Sequence, residues 1–301
     1  MKNFLSVLLL CVTMFSCHSG KSELGTKKNP VKMYFTPSVD AETITSNSKE
    51  FIKFLEKETG LYFESGIPTS YIAVVEALGS DRADIAVMNS FGYIMANEKY
   101  GAEAKLTVIR HGSDTYQGQI ITHVDSNVKS LEDLKGKNFA FPDPTSTSGY
   151  LFPLKVLRDA QVEPKNVTFA NKHDNVVTMV YQKVVHAGAT FYSPPAADGL
   201  IRDARARVIT QFPDVEEKVK IVALTDPIKN DPFVFRKDLP AEVTTKVLAA
   251  IRKYLDTEAG KEVFRAIYSV DDVVEAKDSD YDALREMIKV LNLNTEELLK
   301  K

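Results

Sequence analysis

Short apolar strands alternate with helix-period segments from Val31 onward, and this alternation limits the fold more than any single motif does. Val31–Phe35, Asp84–Met88 and Leu106–Arg110 are compact apolar-rich runs. Between them, Ser48–Lys57 sets Phe51, Ile52, Phe54 and Leu55 at helical spacing, and Gly60 follows as a C-terminal cap. An extended Tyr62-Phe63 segment leads to a second helix, Ser70–Leu78, started by Thr69 or Ser70 and closed by Gly79; a third lies near Tyr93–Tyr100. Such a series predicts an α/β protein with a mostly parallel sheet covered by helices on both faces.

After Asp114 the pattern restarts. Extended Gly118–Val124 and a helix at Leu131–Leu134 come first. Strands at Asn138–Phe141, Val167–Ala170, Ala187–Phe191 and Lys220–Leu224 follow, with helices between them. Pro232–Arg236 adds one more strand, and Ala241–Lys301 reads as almost all helical, one face marked by Val247, Leu248, Ile251 and Leu255. Two α/β units in succession predict two lobes, residues 30–117 with 225–301 in one and 118–224 in the other. The chain is expected to cross near Thr115–Gln119 and return near Leu224–Pro227.

The first seventeen residues stand apart. Lys2 precedes an apolar run, Phe4 to Phe15, too short to span a bilayer and shaped like a secretory signal. Met14-Phe15-Ser16-Cys17 resembles a bacterial lipobox, which makes Cys17 the expected lipidated terminus and membrane anchor; cleavage at a non-lipid site is the alternative. Residues 18–29 read as a flexible tether. Both cysteines, Cys11 and Cys17, fall in the leader, so the rest of the chain offers no thiolate nucleophile, Cys-based metal site or disulfide. A net charge of −3 spread along the chain is unsuited to a nucleic-acid surface, which needs clustered Lys and Arg.

Ligands of open α/β sheets bind where strands run into helices. Those ends here are rich in hydroxyls: Thr69-Ser70-Tyr71, Asn89-Ser90, Asp114-Thr115-Tyr116 and Thr145–Ser148. The stretch FAFPDPTSTSGYLFP, residues 139–153, sets a buried-looking strand before two prolines, four hydroxyl residues and a glycine. Hydroxyls and free amides at a helix start suit an anion, and they equally suit an ordinary N-cap. Pro153 lacks a donor, so the helix either begins close to Gly149 or bends at Pro153.

LEDLKGK (131–137), FAFPDPTSTSG and FANKHDNV (169–176), in that order and spacing, resemble the substrate-binding proteins of bacterial phosphate/phosphite/phosphonate ABC transporters. Tyr71 in PTSYIAVVEAL and Asp84 in ADIAVM fall where that family has a tyrosine and a DIA strand. The resemblance spans about Val31 to Leu255. It implies a two-lobed periplasmic-binding-protein type II fold that closes on a phosphorus oxyanion, with no catalysis and no cofactor. The implied partners are an ABC permease and its ATPase, and the implied form is a lipid-anchored, exported monomer. The implied ligand-binding residues are Tyr71, Tyr116, Ser146, Thr147, Ser148 and His173. Asn89, Gly149 and Asp226 are further candidates, Asp226 as an acceptor for a protonated ligand or an amine. Each has a plainer reading: Ser146 or Thr147 as N-cap, the tyrosines as packing, His173 as a surface or capping residue, Asp226 as a turn starter.

One position departs from the family. His186, in KVVHAG, stands where an acidic residue is common, which implies weaker recognition of an amino-substituted phosphonate. Two other classes stay open. An anion sensor would use the same site. An exported phosphohydrolase would use Ser148, His173 and Asp174, although no G-x-S-x-G elbow and no catalytic metal-pair spacing occur. The five histidines (His18, His111, His123, His173, His186) lack close i, i+4 spacing, against a metal carrier.

Overall fold

The computed structural model describes residues 23–298, so the leader and Cys17 lie outside the described residues. The first run of elements is β1 (Val31–Phe35), α1 (Ala41–Thr59), β2 (Phe63–Gly66), α2 (Tyr71–Gly79), β3 (Ile85–Val87), α3 (Ser90–Tyr100) and β4 (Glu103–Ile109). The middle run is β5 (Thr115–His123), β6 (Asn138–Phe141), α4 (Phe152–Asp159), β7 (Asn166–Phe169), α5 (His173–Tyr181), β8 (Ala187–Tyr192), α6 (Val215–Lys218) and β9 (Val219–Leu224). The last is β10 (Ile228–Lys229), β11 (Pro232–Phe235), α7 (Ala241–Leu255), α8 (Glu258–Tyr268), β12 (Asp272–Glu275) and α9 (Asp282–Val290).

These strands form two sheets. One has the order β12-β4-β11-β3-β1-β2; the other is β10-β5-β8-β6-β7, with β9 also paired to β5. Neither is mostly parallel. Parallel pairing is confined to β2-β1-β3 and to β7-β6-β8, while β11, β12, β5, β9 and β10 pair antiparallel. The reason is that β11 enters the first sheet on the return from the second, and so runs against its neighbours β3 and β4. The C-terminal region is likewise not all helical, because Asp272–Glu275 pairs with β4 at the sheet edge. Leu131–Leu134 shrinks to a single 3₁₀ turn at Glu132–Leu134. The long stretch between β8 and β9 is mainly irregular and carries a 3₁₀ turn at Ala204–Val208.

Residues 24–29 are a docked turn, correcting the expected tether. Gly25 N–H donates to Asn29 O at 2.7 Å, and Tyr62 N–H donates to Gly25 O at 2.8 Å. Helices form where the sequence caps them and supplies an apolar stripe. The Asp40 carboxylate accepts from Glu42 N at 2.9 Å to start α1, and Ile44, Phe51 and Leu55 bury one face against β1 and the helices α7 and α8. Each such buried side chain contributes about 1.5–3 kcal/mol. The opposite face of the first sheet packs on α2, α3 and α9 around Val74, Phe91, Tyr93 and Ile288; Leu151 and Phe152, from the start of α4, are seated in the same cluster.

Two crossings join the sheets, and they are bonded to each other. A two-residue hairpin at His111-Gly112, both with positive φ (52° and 76°), turns β4 into β5, closed by reciprocal Arg110–Ser113 backbone bonds of 2.9 Å. Thr115 and Tyr116 then pair with Lys229 and Ile228 of the returning chain. Gly118 exchanges bonds with Thr225 (2.8 and 2.9 Å) and presses on the Ser148 carbonyl, which a Cβ would meet at 2.5 Å.

Candidate ligand cavity

The loops after the parallel strands meet between the two sheets around a partly open cavity of about 70 Å³. That is several times the ~10–15 Å³ a single water needs. Tyr71, Tyr116, Ser146, Thr147, Ser148, His173 and Asn89 all line it.

The turn at Ser146–Leu151 explains Pro153. Ser146 is the N-cap, its Oγ accepting from Gly149 N at 3.1 Å. The next turn is π-wound: Leu151 N–H reaches back to Ser146 O at 3.0 Å and Phe152 N–H to Thr147 O, and Pro153 sits in the first turn of α4. The helix therefore begins before the proline and widens rather than bends. The amides of Thr147 and Ser148 lead this helix with no preceding carbonyl to bond, and no partner within the described residues. Gly149 has a different duty from the one expected. Its amide is taken by Ser146 Oγ, and its missing Cβ makes room for Pro142, whose Cγ would lie 2.2 Å away.

This turn is tied to α3 of the first lobe. Asn89, the N-cap of α3, accepts from Gly92 N (2.7 Å) and donates from Nδ2 to Thr145 O (2.8 Å), and Phe91 N–H donates to Thr147 Oγ1 at 2.9 Å. Asn89 is thus a brace at the cavity edge. Asp143, its proton affinity raised by burial, accepts from Thr145 N and Oγ1 at 2.8 and 2.6 Å and holds the Tyr71 amide as well.

Several cavity groups have no partner of their own. The Tyr71 hydroxyl is buried and unbonded, and burial pushes it well above its usual range. Burial also raises the Tyr116 hydroxyl, against the pull of the Thr147 and Ser148 hydroxyls beside it. His173 opens α5 and packs edge-on against Phe191 with ring centroids 5.2 Å apart. Its Nδ1 is buried and unpartnered, and burial, reinforced by Arg207, lowers it to about 3. The imidazole is therefore neutral at ordinary pH. Asp174 Oδ1 is unpartnered too, so no imidazole–carboxylate bond orients a Ser148–His173–Asp174 relay.

Asp226 does not join the cavity. It is exposed on the second crossing, and the aspartate that lines the void is Asp231, five residues on, also before a proline. Asp231 Oδ2 accepts from Arg110 Nη2 at 2.6 Å while Oδ1 is buried and unpartnered. Arg110 also donates to Tyr268 O at 2.8 Å and lies 5.5 Å from the Tyr116 ring centroid, which fixes that ring. Arg202 and Arg207 line the void from the irregular stretch before β9. Sequence reading passed over Arg110, Asp231, Arg202 and Arg207; the alternating RDARAR was the available signal for the last two. His186 is remote from the cavity, its Nδ1 accepting from Asn138 N at 3.3 Å at a strand start. It bears on strand geometry, not on ligand choice.

The family model described as "ABC transporter, phosphonate, periplasmic substrate-binding protein" matches residues 33–281. The chain belongs to this family. The phosphate-import protein PhnD of Mycolicibacterium smegmatis is 31% identical over 121 residues, 39% of this chain and 38% of that one. The phosphonates-binding periplasmic protein of Escherichia coli is 24% identical over 228 residues, 72% of this chain and 64% of its own. The matches thus span less than two thirds of either relative. Among solved structures, a binding protein component of an ABC phosphonate transporter from Pseudomonas aeruginosa superposes with a TM-score of 0.76 at 21% identity, covering 86% of this chain and 85% of that one. PhnD1 of Prochlorococcus marinus, solved with methylphosphonate, gives 0.75 at 18% identity, covering 87% and 98%. The fold is that of the type II phosphonate-binding proteins, two-lobed as the sequence predicts. Among the described residues no helix is long and apolar enough to cross a membrane.

Proposed function

We propose that this chain captures a phosphorus oxyanion between its two lobes and hands it to an ABC permease, catalysing nothing. One observation carries the reading. Tyr71, Thr147 and Ser148 line one void of about 70 Å³, and among them stand two bond-free amides at the head of a helix, the Ser148 hydroxyl and the buried, unpartnered Tyr71 hydroxyl. Converging donors with a helix dipole behind them replace the hydration an oxyanion loses on burial. The relatives' names, phosphate import and phosphonates binding, point to the same chemistry. In this reading residues 118–224 swing against 30–117 with 225–301, the permease reads the closed form, and a lipidated Cys17 keeps the protein at the membrane.

A thermal-shift panel of phosphate, phosphite, methylphosphonate and sulfate tests it. A phosphorus ligand at a hundred times its Kd adds about 2.7 kcal/mol of stability. Ser148→Ala removes a donor to a charged group, about 1.5–3 kcal/mol of affinity, and leaves the unliganded melting point unchanged. No shift with any phosphorus oxyanion, or an equal shift with Ser148→Ala, refutes the reading.

A further inference from the structure

A second pocket, of about 190 Å³, opens beside the first and shares Arg110, Tyr116, Ser193 and Arg202 with it. No carboxylate lines this outer chamber, which adds His111, Thr115 and Gln117. The charges around the two chambers do not cancel. Arg110 is neutralised by Asp231 at 2.6 Å and Arg207 is attracted by the Asp174 carboxylate without a direct ion pair, but Arg202 has no acidic partner among the described residues. The hydrogen bonds of Arg207 are long and go to neutral groups, Ala266 O at 3.4 Å and Ser269 Oγ at 3.3 Å, and Arg202 makes no hydrogen bond within the described residues.

Arg205, between them in the same turn, shows what this chain does with an arginine it uses for structure. It is buried, forked onto Asp203 at 2.8 and 3.0 Å, and bonded to Val219 O at 2.9 Å. A guanidinium left half-buried beside a cavity without such a partner is under-solvated until an anion arrives, and its fork suits a carboxylate or a phosphoryl group; with the phosphoryl group held in the inner void, a carboxylate is what remains for the outer chamber. The His111 Nε2 is a second buried polar atom without a partner. Burial together with Arg202 lowers its proton affinity, so it meets a ligand as neutral imidazole.

We infer that the outer chamber takes an anionic, carboxylate-class substituent carried on the phosphorus ligand, with Arg202 as its principal contact. The preferred ligand is then a short carboxyalkyl phosphonate, not an aminoalkyl one: an ammonium group would meet Arg202 and no free carboxylate in this chamber. This rests on the reading that the inner void holds the phosphorus group.

Calorimetric titration of the full exported chain with methylphosphonate, phosphonoacetate and 2-aminoethylphosphonate, at one ionic strength, tests it. Phosphonoacetate is expected to bind at least tenfold tighter than 2-aminoethylphosphonate. In Arg202→Gln the affinity ratio of phosphonoacetate to methylphosphonate falls at least tenfold; Arg202→Lys, which keeps charge but loses the fork, falls by less. Equal or tighter binding of 2-aminoethylphosphonate, or an unchanged ratio in Arg202→Gln, overturns the inference. If methylphosphonate binds and phosphonoacetate is not preferred, only this inference fails. If no phosphorus compound binds, the proposed function fails and this inference with it.

Discussion

The two walls of the cavity are built on opposite plans. The near wall, Thr145–Ser148, is braced from both sides while its leading amides stay free: Asn89 holds Thr145, Phe91 holds Thr147, and Ser146 caps its own helix. The far wall is His173 with Arg202 and Arg207, and it is left largely unbonded. A tied wall holds donors at fixed angles, which suits a tetrahedral head whose geometry never varies. An unbonded wall keeps charge and polar atoms in reserve, at a cost in stability until a ligand satisfies them. In the proposed function, head recognition and substituent choice thereby fall to different parts of the chain.

The largest test of that contrast is pH. His173 titrates near 6.5 when unfolded and at about 3 in place. Above pH 6.5 both states are neutral and the group has no effect. Below it the unfolded chain takes up a proton the folded one refuses, so stability falls by about 1.4 kcal/mol per pH unit on the way to pH 3. Denaturant melts of the unliganded protein and of His173→Asn at pH 7, 5.5 and 4.5 should differ by that slope; parallel curves would mean that the far wall is not held under-solvated.

Next comes the near wall. Thr147→Val deprives the Phe91 amide of its acceptor and should destabilise the unliganded protein by about 1–3 kcal/mol. Arg202→Gln, which loses no hydrogen bond within the described residues, should cost less than about 1 kcal/mol. Equal losses in urea titrations would erase the distinction between the walls. The smallest effect is expected outside both, at Lys172–Asp40, a 3.4 Å pair between the caps of α5 and α1 with side chains 32% and 55% exposed. Lys172→Gln should change the melting free energy by about 0.2–1 kcal/mol, and less in high salt.

Legibility in the sequence followed the same division. The near wall could be read because its signals are local: hydroxyls, a glycine and a helix start lie within a few residues, and the caps Ser146 and Asn89 act on their own helices. Arg202 and Arg207 escaped because their segment has no regular period, and nothing in RDARAR says which arginine turns inward. Asp226 and Asp231 both precede proline, so local sequence could not rank them; the pairing of Thr115-Tyr116 with Ile228-Lys229 decides which faces the void. The antiparallel placement of β11 was hidden for a related reason. It depends on where the second crossing re-enters the first sheet, which is a property of the whole chain.

Leu151 and Phe152 sit in the hydrophobic cluster of the first lobe although they follow a strand of the second. The Ser146–Leu151 turn is therefore bolted to the half of the molecule that the chain order assigns it away from. Any hinge between the two sheets would therefore have to bend beside this turn as well as at the two crossings, or else pull Leu151 and Phe152 out of the first lobe's core.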